Sequence, residues 1–341
     1  MLDNNWLLSS IREIHAVIRA TVIAACEASA IVTLSEVADD GEGDTIYAVD
    51  RISESKLVEL FESKIAIHVP IVLIAEGLTG GKIVLPRGGK EADAVWRIIA
   101  DPIDGTRSLM YQKRSAWILT GVAPNLGEQT SLRDIILAVQ TELPLIKQHL
   151  CDVLWAKRGE GAQAERFNRL TQESVPLPMT PSTASGLAHG FGSVTRFFAG
   201  GRDILAVIDD DIAWAALGHG SEGKAQSFED QYLSTGGQLY ELMMGHDRFQ
   251  ADLRPLLRQI LQNRGLQQIL CCHPYDLCTA LIATEAGVQI VDEKGFALAA
   301  PLDLATDVAW IGYANGLIRA NLEPILQRTL TKHGLCHIPA E

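Results

Sequence analysis

The chain has 341 residues, 42 acidic against 29 basic, and a formal net charge of −13. With 47% hydrophobic residues it has the composition of a globular protein, and at this length it buries roughly 75% of its unfolded surface without needing disulfides. The acid excess excludes a generic nucleic-acid or anionic-membrane binder, since both need a positive field, and the aliphatic content excludes low-complexity disorder.

Apolar spacing predicts a first helix over 5–30, broken by Arg19 and Glu27 and so amphipathic rather than membrane-spanning. No export signal is expected, because a basic region, apolar core and small-residue cleavage site are missing. An acidic loop is expected over 35–44, then a short strand over 46–49 ending at Asp50. Ser53 is a good N-cap for a following helix, whose Leu57, Leu60 and Phe61 share a face. Strands are predicted from the alternation of Ile65, Ile67 and Val69, and over 71–75, 82–85, 95–100, 116–123, 134–141 and 152–157. Gly159 and Gly161 mark a hairpin turn.

The proline-rich stretch 172–182 is the expected linker. It divides an N-terminal α+β domain (1–180) from a C-terminal α/β domain (181–341). In the second half the pattern predicts strands over 204–208, 288–291 and 308–312. Helices are expected over 237–244, 276–286 (closed by Gly287) and 317–330, and the charge run Asp209 to Asp211 reads as a solvated loop. The class is α+β grading into α/β, with layered sheets and helices. The six cysteines form no C-x-x-C pair, so they read as reduced, buried thiols of a cytoplasmic protein.

The most informative stretch is Asp101-Pro102-Ile103-Asp104-Gly105-Thr106, directly after a buried strand. Two carboxylates flank a turn fixed by proline, and both can converge on a hard cation, with the Ile103 carbonyl between them as a further oxygen ligand. Gly105 and Thr106 then offer backbone N–H groups at a helix start, where an anion binds. Metal ions beside an anion cradle suit phosphoryl transfer.

This hexapeptide resembles the first signature of the inositol monophosphatase family of magnesium-dependent, lithium-sensitive phosphatases, with Trp96 as its lead-in. A second signature is similar to Tyr275-Asp276, a small-residue helix, then Glu285-Ala286-Gly287. Glu76 and Asp50 stand where the family places strand-ending acids, so the resemblance covers about residues 5–330. It implies a layered α-β-α-β-α sugar-phosphatase architecture and a homodimer. Glu76, Asp101 and the Ile103 carbonyl would hold one Mg2+, and Asp101, Asp104 and Asp276 a second. Glu76 could orient a third ion. Thr106 and Asp50 would prepare the attacking water, and the Gly105 and Thr106 amides would hold phosphate.

The resemblance implies hydrolysis of a small phosphate ester, such as inositol monophosphate or a related polyol or sugar phosphate. Alternatives are a 3′-phosphoadenosine nucleotide, fructose bisphosphate, or binding without turnover. The D-x-x-D spacing departs from the D-x-D of haloacid-dehalogenase phosphatases. Some positions depart from the family pattern. Gly77 replaces a second acid after Glu76, Tyr47 a threonine, Tyr275 a tryptophan, and Ser108-Leu109 an Asn-Phe pair. Asp39 and Asp40 stand in a region that usually carries a lysine, and Ile269 stands where inositol-specific members place an acid. Cys271-Cys272-His273-Pro274 is unlike an inositol grip.

Overall fold

A computed structural model describes residues 4–28, 37–39, 46–218, 224–267 and 270–335, with backbone alone for 37–39 and 46–52. Helix α1 (Asn4–Ala28) buries Leu7, Ile11, Ile14, Ile18 and Val22, the stripe of a helix with one apolar face. Strands β1 (Val37–Asp39) and β2 (Ile46–Tyr47) pair antiparallel, so part of the expected acidic loop is extended. Helix α2 (Ala48–Phe61) begins before the predicted Ser53 cap, and Asp50 lies in its first turn rather than at a strand end. The alternation at Ile65, Ile67 and Val69 is not a strand. A π-helical turn (Glu62–Ala66) extends α2 there, burying Ile65 and leaving Ile67 65% exposed.

The large sheet contains β3 (Ile71–Ala75), β4 (Lys82–Leu85), β5 (Trp96–Asp104), β6 (Ala116–Pro124), β7 (Leu137–Leu143), β8 (Leu150–Lys157), β9 (Ala162–Asn168) and β10 (Glu173–Pro176). Its order is β10-β9-β8-β7-β6-β5-β3-β4, antiparallel except between β3 and β5. Residues 173–176 are therefore an edge strand, not linker. The Gly159–Gly161 turn does join a hairpin, and Glu285 holds it, accepting from the Gly159 and Gly161 amides at 2.7 and 2.9 Å.

The second sheet has the order β11-β12-β14-β13, from β11 (Phe191–Val194), β12 (Asp247–Asp252), β13 (Gln289–Val291) and β14 (Trp310–Tyr313). Four helices belong with it: α4 (Arg202–Leu217), α5 (Thr235–Met243), α7 (Ala280–Glu285) and α8 (Gly316–Lys332), while a short α6 (Arg258–Asn263) follows β12. Residues 204–208 thus lie in a helix. Ile204, Leu205, Ile208 and Ile212 are buried at helical spacing, which a short apolar run does not distinguish from a strand. Asp209 to Asp211 sit on the same helix, Asp209 paired with Arg196 and Asp211 with Lys332 and His333.

The layers follow from which faces are apolar. Helices α1 and α2 cover one face of the large sheet, with Ile98, Ala100, Ile118 and Val139 in their shared core. Helices α5 and α7 fill the space between the sheets, and α4 and α8 cover the outside of the small one. The order is α-β-α-β-α. Among the described residues no helix is long and apolar enough to cross a membrane, and Cys26, Cys151, Cys271, Cys272 and Cys278 are buried and in no disulfide.

Candidate metal centre

Two residues three apart on a regular strand point to opposite faces. Asp101 and Asp104 escape that rule because β5 carries a bulge. Asp101 pairs with Leu119 and Asp104 with Trp117, so the register slips by one residue between them. The slip shows in the packing. Ile98 and Ala100 face the α1/α2 core, and beyond the bulge the odd-numbered Ile103 faces it too. Both aspartates consequently look into the space between the sheets. Pro102 is tolerated there because a bulge leaves a ladder N–H unused. The strand therefore runs through the motif instead of ending at Asp101.

Asp101 is 1% exposed and accepts from the Ile103 amide at 2.9 Å. Asp104 accepts from the Ser234 hydroxyl at 2.8 Å and the Gly236 amide at 2.6 Å. Ser234 also caps α5, accepting from the Gly237 amide at 2.8 Å. The Gly236-Gly237 pair is thus a helix start, as its sequence suggests, and it also grips a carboxylate. Asp276 accepts from the His273 amide at 2.6 Å. It sits in a run of turns before α7, not at the start of a helix over 276–286.

That run of turns is held against the sheet in two ways. Gly121 of β6 has no side chain to obstruct it: a Cβ there would stand 2.7 Å from the Cys278 carbonyl. The fully buried Gln140 of β7 accepts from the Thr279 hydroxyl at 2.9 Å and donates to the Gly236 carbonyl at 2.8 Å. One side chain thus ties both the Asp276 segment and α5 to the large sheet.

The result is a carboxylate cluster. Asp101, Asp104 and Asp276 each bring an oxygen within 4.8 Å of the others. Glu76 follows β3, its amide donating to the Ala100 carbonyl at 3.4 Å, which sets it beside Asp101 at the carboxyl end of the parallel pair. Burial, then Glu76, Asp104 and Asp276, push Asp101 well above the ordinary carboxylate range. Asp276 is raised likewise by burial and by Asp104. Burial raises Asp104 to about 6, although the Gly236, Ser234 and Thr235 hydrogen bonds oppose it.

These residues line a cavity of about 390 Å3. Glu76, Asp101, Ile103, Asp104, Gly105, Thr106 and Asp276, the sequence candidates, all border it. Thr106 opens the short helix α3 (Thr106–Met110), and its hydroxyl donates to the Ile103 carbonyl at 2.7 Å. Gly105 has φ 94°, and a Cβ there would press on Ser234 at 3.1 Å. The side chain of Asp50, and residues Asp40 and Ile269, lie outside the described residues.

Sequence reasoning missed several neighbours. Arg254 is 2% exposed and bidentate on Asp252, with its guanidinium over Phe197 and Phe198. Phe197, Phe198 and Arg107 also border the cavity, as do His273 and Tyr275, whose rings stack 5.4 Å apart. No local motif marks Arg254, Phe197 and Phe198, which only the packing of β11 and β12 brings to the site, whereas Arg107 follows the hexapeptide directly and His273 and Tyr275 lie at the second signature. A fit to divalent cations follows from the donors themselves. They are all oxygens, which hard cations prefer, and the carboxylates raise one another's proton affinity, as like charges do when no cation separates them.

No protein-family model matches the chain, and no curated protein matches it in sequence. Solved structures do. Fructose-1,6-bisphosphatase of Leishmania major in its holo form superposes with a TM-score of 0.68 at 14% identity, over 96% of this chain and 94% of that one. The extragenic suppressor protein SuhB of Bartonella henselae gives 0.65 at 14% identity, over 94% and 98%. The IMPase of Thermotoga maritima gives 0.59 at 15% identity, over 96% and 98%. The five layers described above are thus the inositol monophosphatase-like fold.

Proposed function

We propose that the chain is a magnesium-dependent phosphomonoesterase acting on a small phosphate ester. The observation that carries this reading is the meeting of Asp101, Asp104 and Asp276 within 4.8 Å, beside Glu76 and the Gly105-Thr106 backbone. Two of the matched structures are named for phosphatases, fructose-1,6-bisphosphatase and IMPase, which supports the same chemistry.

Glu76, Asp101 and the Ile103 carbonyl would hold one Mg2+, and Asp101, Asp104 and Asp276 a second. Bound there, magnesium would neutralise charge on the phosphoryl group and make water a better nucleophile. The chain's own residues do the positioning. The buried floor of Asp101 and Asp104 fixes the cation-holding oxygens through hydrogen bonds from Ile103, Ser234 and Gly236. Thr106 has its hydroxyl proton committed to the Ile103 carbonyl, so its lone pairs would accept from the attacking water and orient it. Asp50 would take up the water's proton. Gly105 and Thr106 border the same cavity, and their amides would receive phosphate oxygens.

Inositol monophosphate or a related polyol or sugar phosphate is the default ester. One observation favours the 3′-phosphoadenosine alternative: Phe197 and Phe198 make an aromatic wall, which suits a planar base better than a ring of hydroxyls. The test is phosphate release from inositol monophosphate, fructose-1,6-bisphosphate and 3′-phosphoadenosine nucleotides, with and without magnesium and lithium. Magnesium-dependent release by the wild type, lost in Asp101→Asn, supports the reading. Silence across a broad ester panel leaves a binding protein without turnover.

A further inference from the structure

The cavity receives one more carboxylate than the sequence motifs account for. Glu54, on α2, borders it together with Glu76, Asp101 and Asp276. It reaches the site over Gly77. A Cβ on Gly77 would overlap the Glu54 carboxyl group and stand 2.6 Å from its Oε2. Gly77 has φ 80°, in the left-handed region that side chains avoid, so the chain turns out of β3 on bare backbone. The Glu54 side chain occupies the space that a side chain at 77 would take.

A carboxylate delivered against Gly77, the residue after Glu76, adds an acidic side chain to the wall of the cavity that Glu76, Asp101 and Asp276 also line. Carboxylate oxygens brought to one cavity from several elements are the donors that hard divalent cations prefer. We propose that Glu54, supplied by α2 across Gly77, is a cation-holding residue of this centre. The inference rests on the metal-dependent reading above. It also answers the departure at position 77. The acid absent from the strand end is present in space, brought by a helix from an earlier part of the chain. The readings of Gly77 as a lost function and as a relocated one therefore predict different metal affinities.

The experiment is a calorimetric Mn2+ titration of the full chain as wild type, Glu54→Gln, Glu54→Asp and Glu59→Gln, the last an exposed glutamate of the same helix paired with Lys56. Glu54→Gln is expected to weaken at least one Mn2+ step about tenfold or more, as loss of a metal-site partner does. Glu54→Asp, with its charge kept but drawn back, should fall between, and Glu59→Gln should match the wild type. Wild-type affinity in both Glu54 variants overturns the proposal while leaving the metal centre standing. Failure of the wild type itself to bind Mn2+ overturns the metal reading instead. Equal loss in Glu59→Gln assigns the effect to α2 as a whole and also overturns it.

Discussion

Asp104 and Gly236 are joined by a 2.6 Å hydrogen bond across the two halves of the chain, and the glycine is what lets them meet. A Cβ at 236 would stand 3.0 Å from the same Asp104 oxygen and 2.7 Å from a Leu119 methyl. Alanine suits a helix better than glycine, so propensity alone predicts stabilisation. The contact geometry predicts the opposite. Gly236→Ala should cost about 1–3 kcal/mol by overpacking and weaken Mg2+ binding by moving Asp104. Denaturant unfolding and a Mg2+ titration on the same sample check both parts.

Gln140 provides a second positional test. It is fully buried and bridges Thr279 to Gly236. Gln140→Ala leaves the Thr279 hydroxyl and the Gly236 carbonyl unpaired, at a cost of about 1–3 kcal/mol for each stranded group. Because the bridge carries both the Asp276 segment and the helix that grips Asp104, Mg2+ affinity should fall with stability. A stability loss with unchanged affinity would show that the two segments hold their places without it.

The cluster's electrostatics give a pH signature for the metal-free protein. Burial raises Asp104 to about 6; burial, then Glu76, Asp104 and Asp276, push Asp101 well above the ordinary range, and burial, then Asp104, do the same to Asp276. Carboxylates raised on folding bind more protons in the native state than in the unfolded one. Their stabilisation is complete below the unfolded value of about 3.9 and is lost as pH rises through the folded values. With divalent cations chelated, Tm should therefore fall as pH rises from about 4 through 6 and beyond, and added Mg2+ should restore more at pH 8 than at pH 5. Asp101→Asn should raise the chelated Tm at pH 8, abolish the Mg2+ response, and lower any phosphatase rate roughly a thousandfold, in line with the several kcal/mol that metal stabilisation supplies.

His15 gives the opposite slope. It is fully buried between the Thr120 and Thr141 hydroxyls, at 2.8 and 3.0 Å, and burial with nearby Arg19 depresses it to about 3. The unfolded chain then binds a proton that the folded chain refuses, so stability is present above about 6.5 and lost as pH falls toward 3. At full development the loss is about 5 kcal/mol. Glutamine, which keeps hydrogen-bonding capacity without titrating, should flatten the acid limb of a stability–pH curve by roughly one proton.

The sequence was most legible where local rules and tertiary structure agree. Apolar periodicity located α1, α5 and α8, and most strands of the large sheet. The Asp101–Thr106 hexapeptide marked the site because its spacing is rare as ordinary turn material. Legibility failed where one pattern serves two structures. Ile65, Ile67 and Val69 alternate like a strand yet close a helix, and the residues from Ile204 to Ile208 read as a strand although their burial is helical. It failed also where function depends on distant residues meeting. The bulge that turns Asp101 and Asp104 to one face is visible only in the register with β6. Glu54, Arg254 and Phe197 carry no motif, and only folding brings them to the cavity.

The most direct measurement is an anomalous difference map from crystals of the wild-type chain grown with Mn2+. At least one peak bounded by oxygens of Asp101, Asp104 and Asp276 is expected, absent from Asp101→Asn crystals grown identically. A map with no peak among those three aspartates, at Mn2+ concentrations that saturate any binding seen in solution, would contradict it.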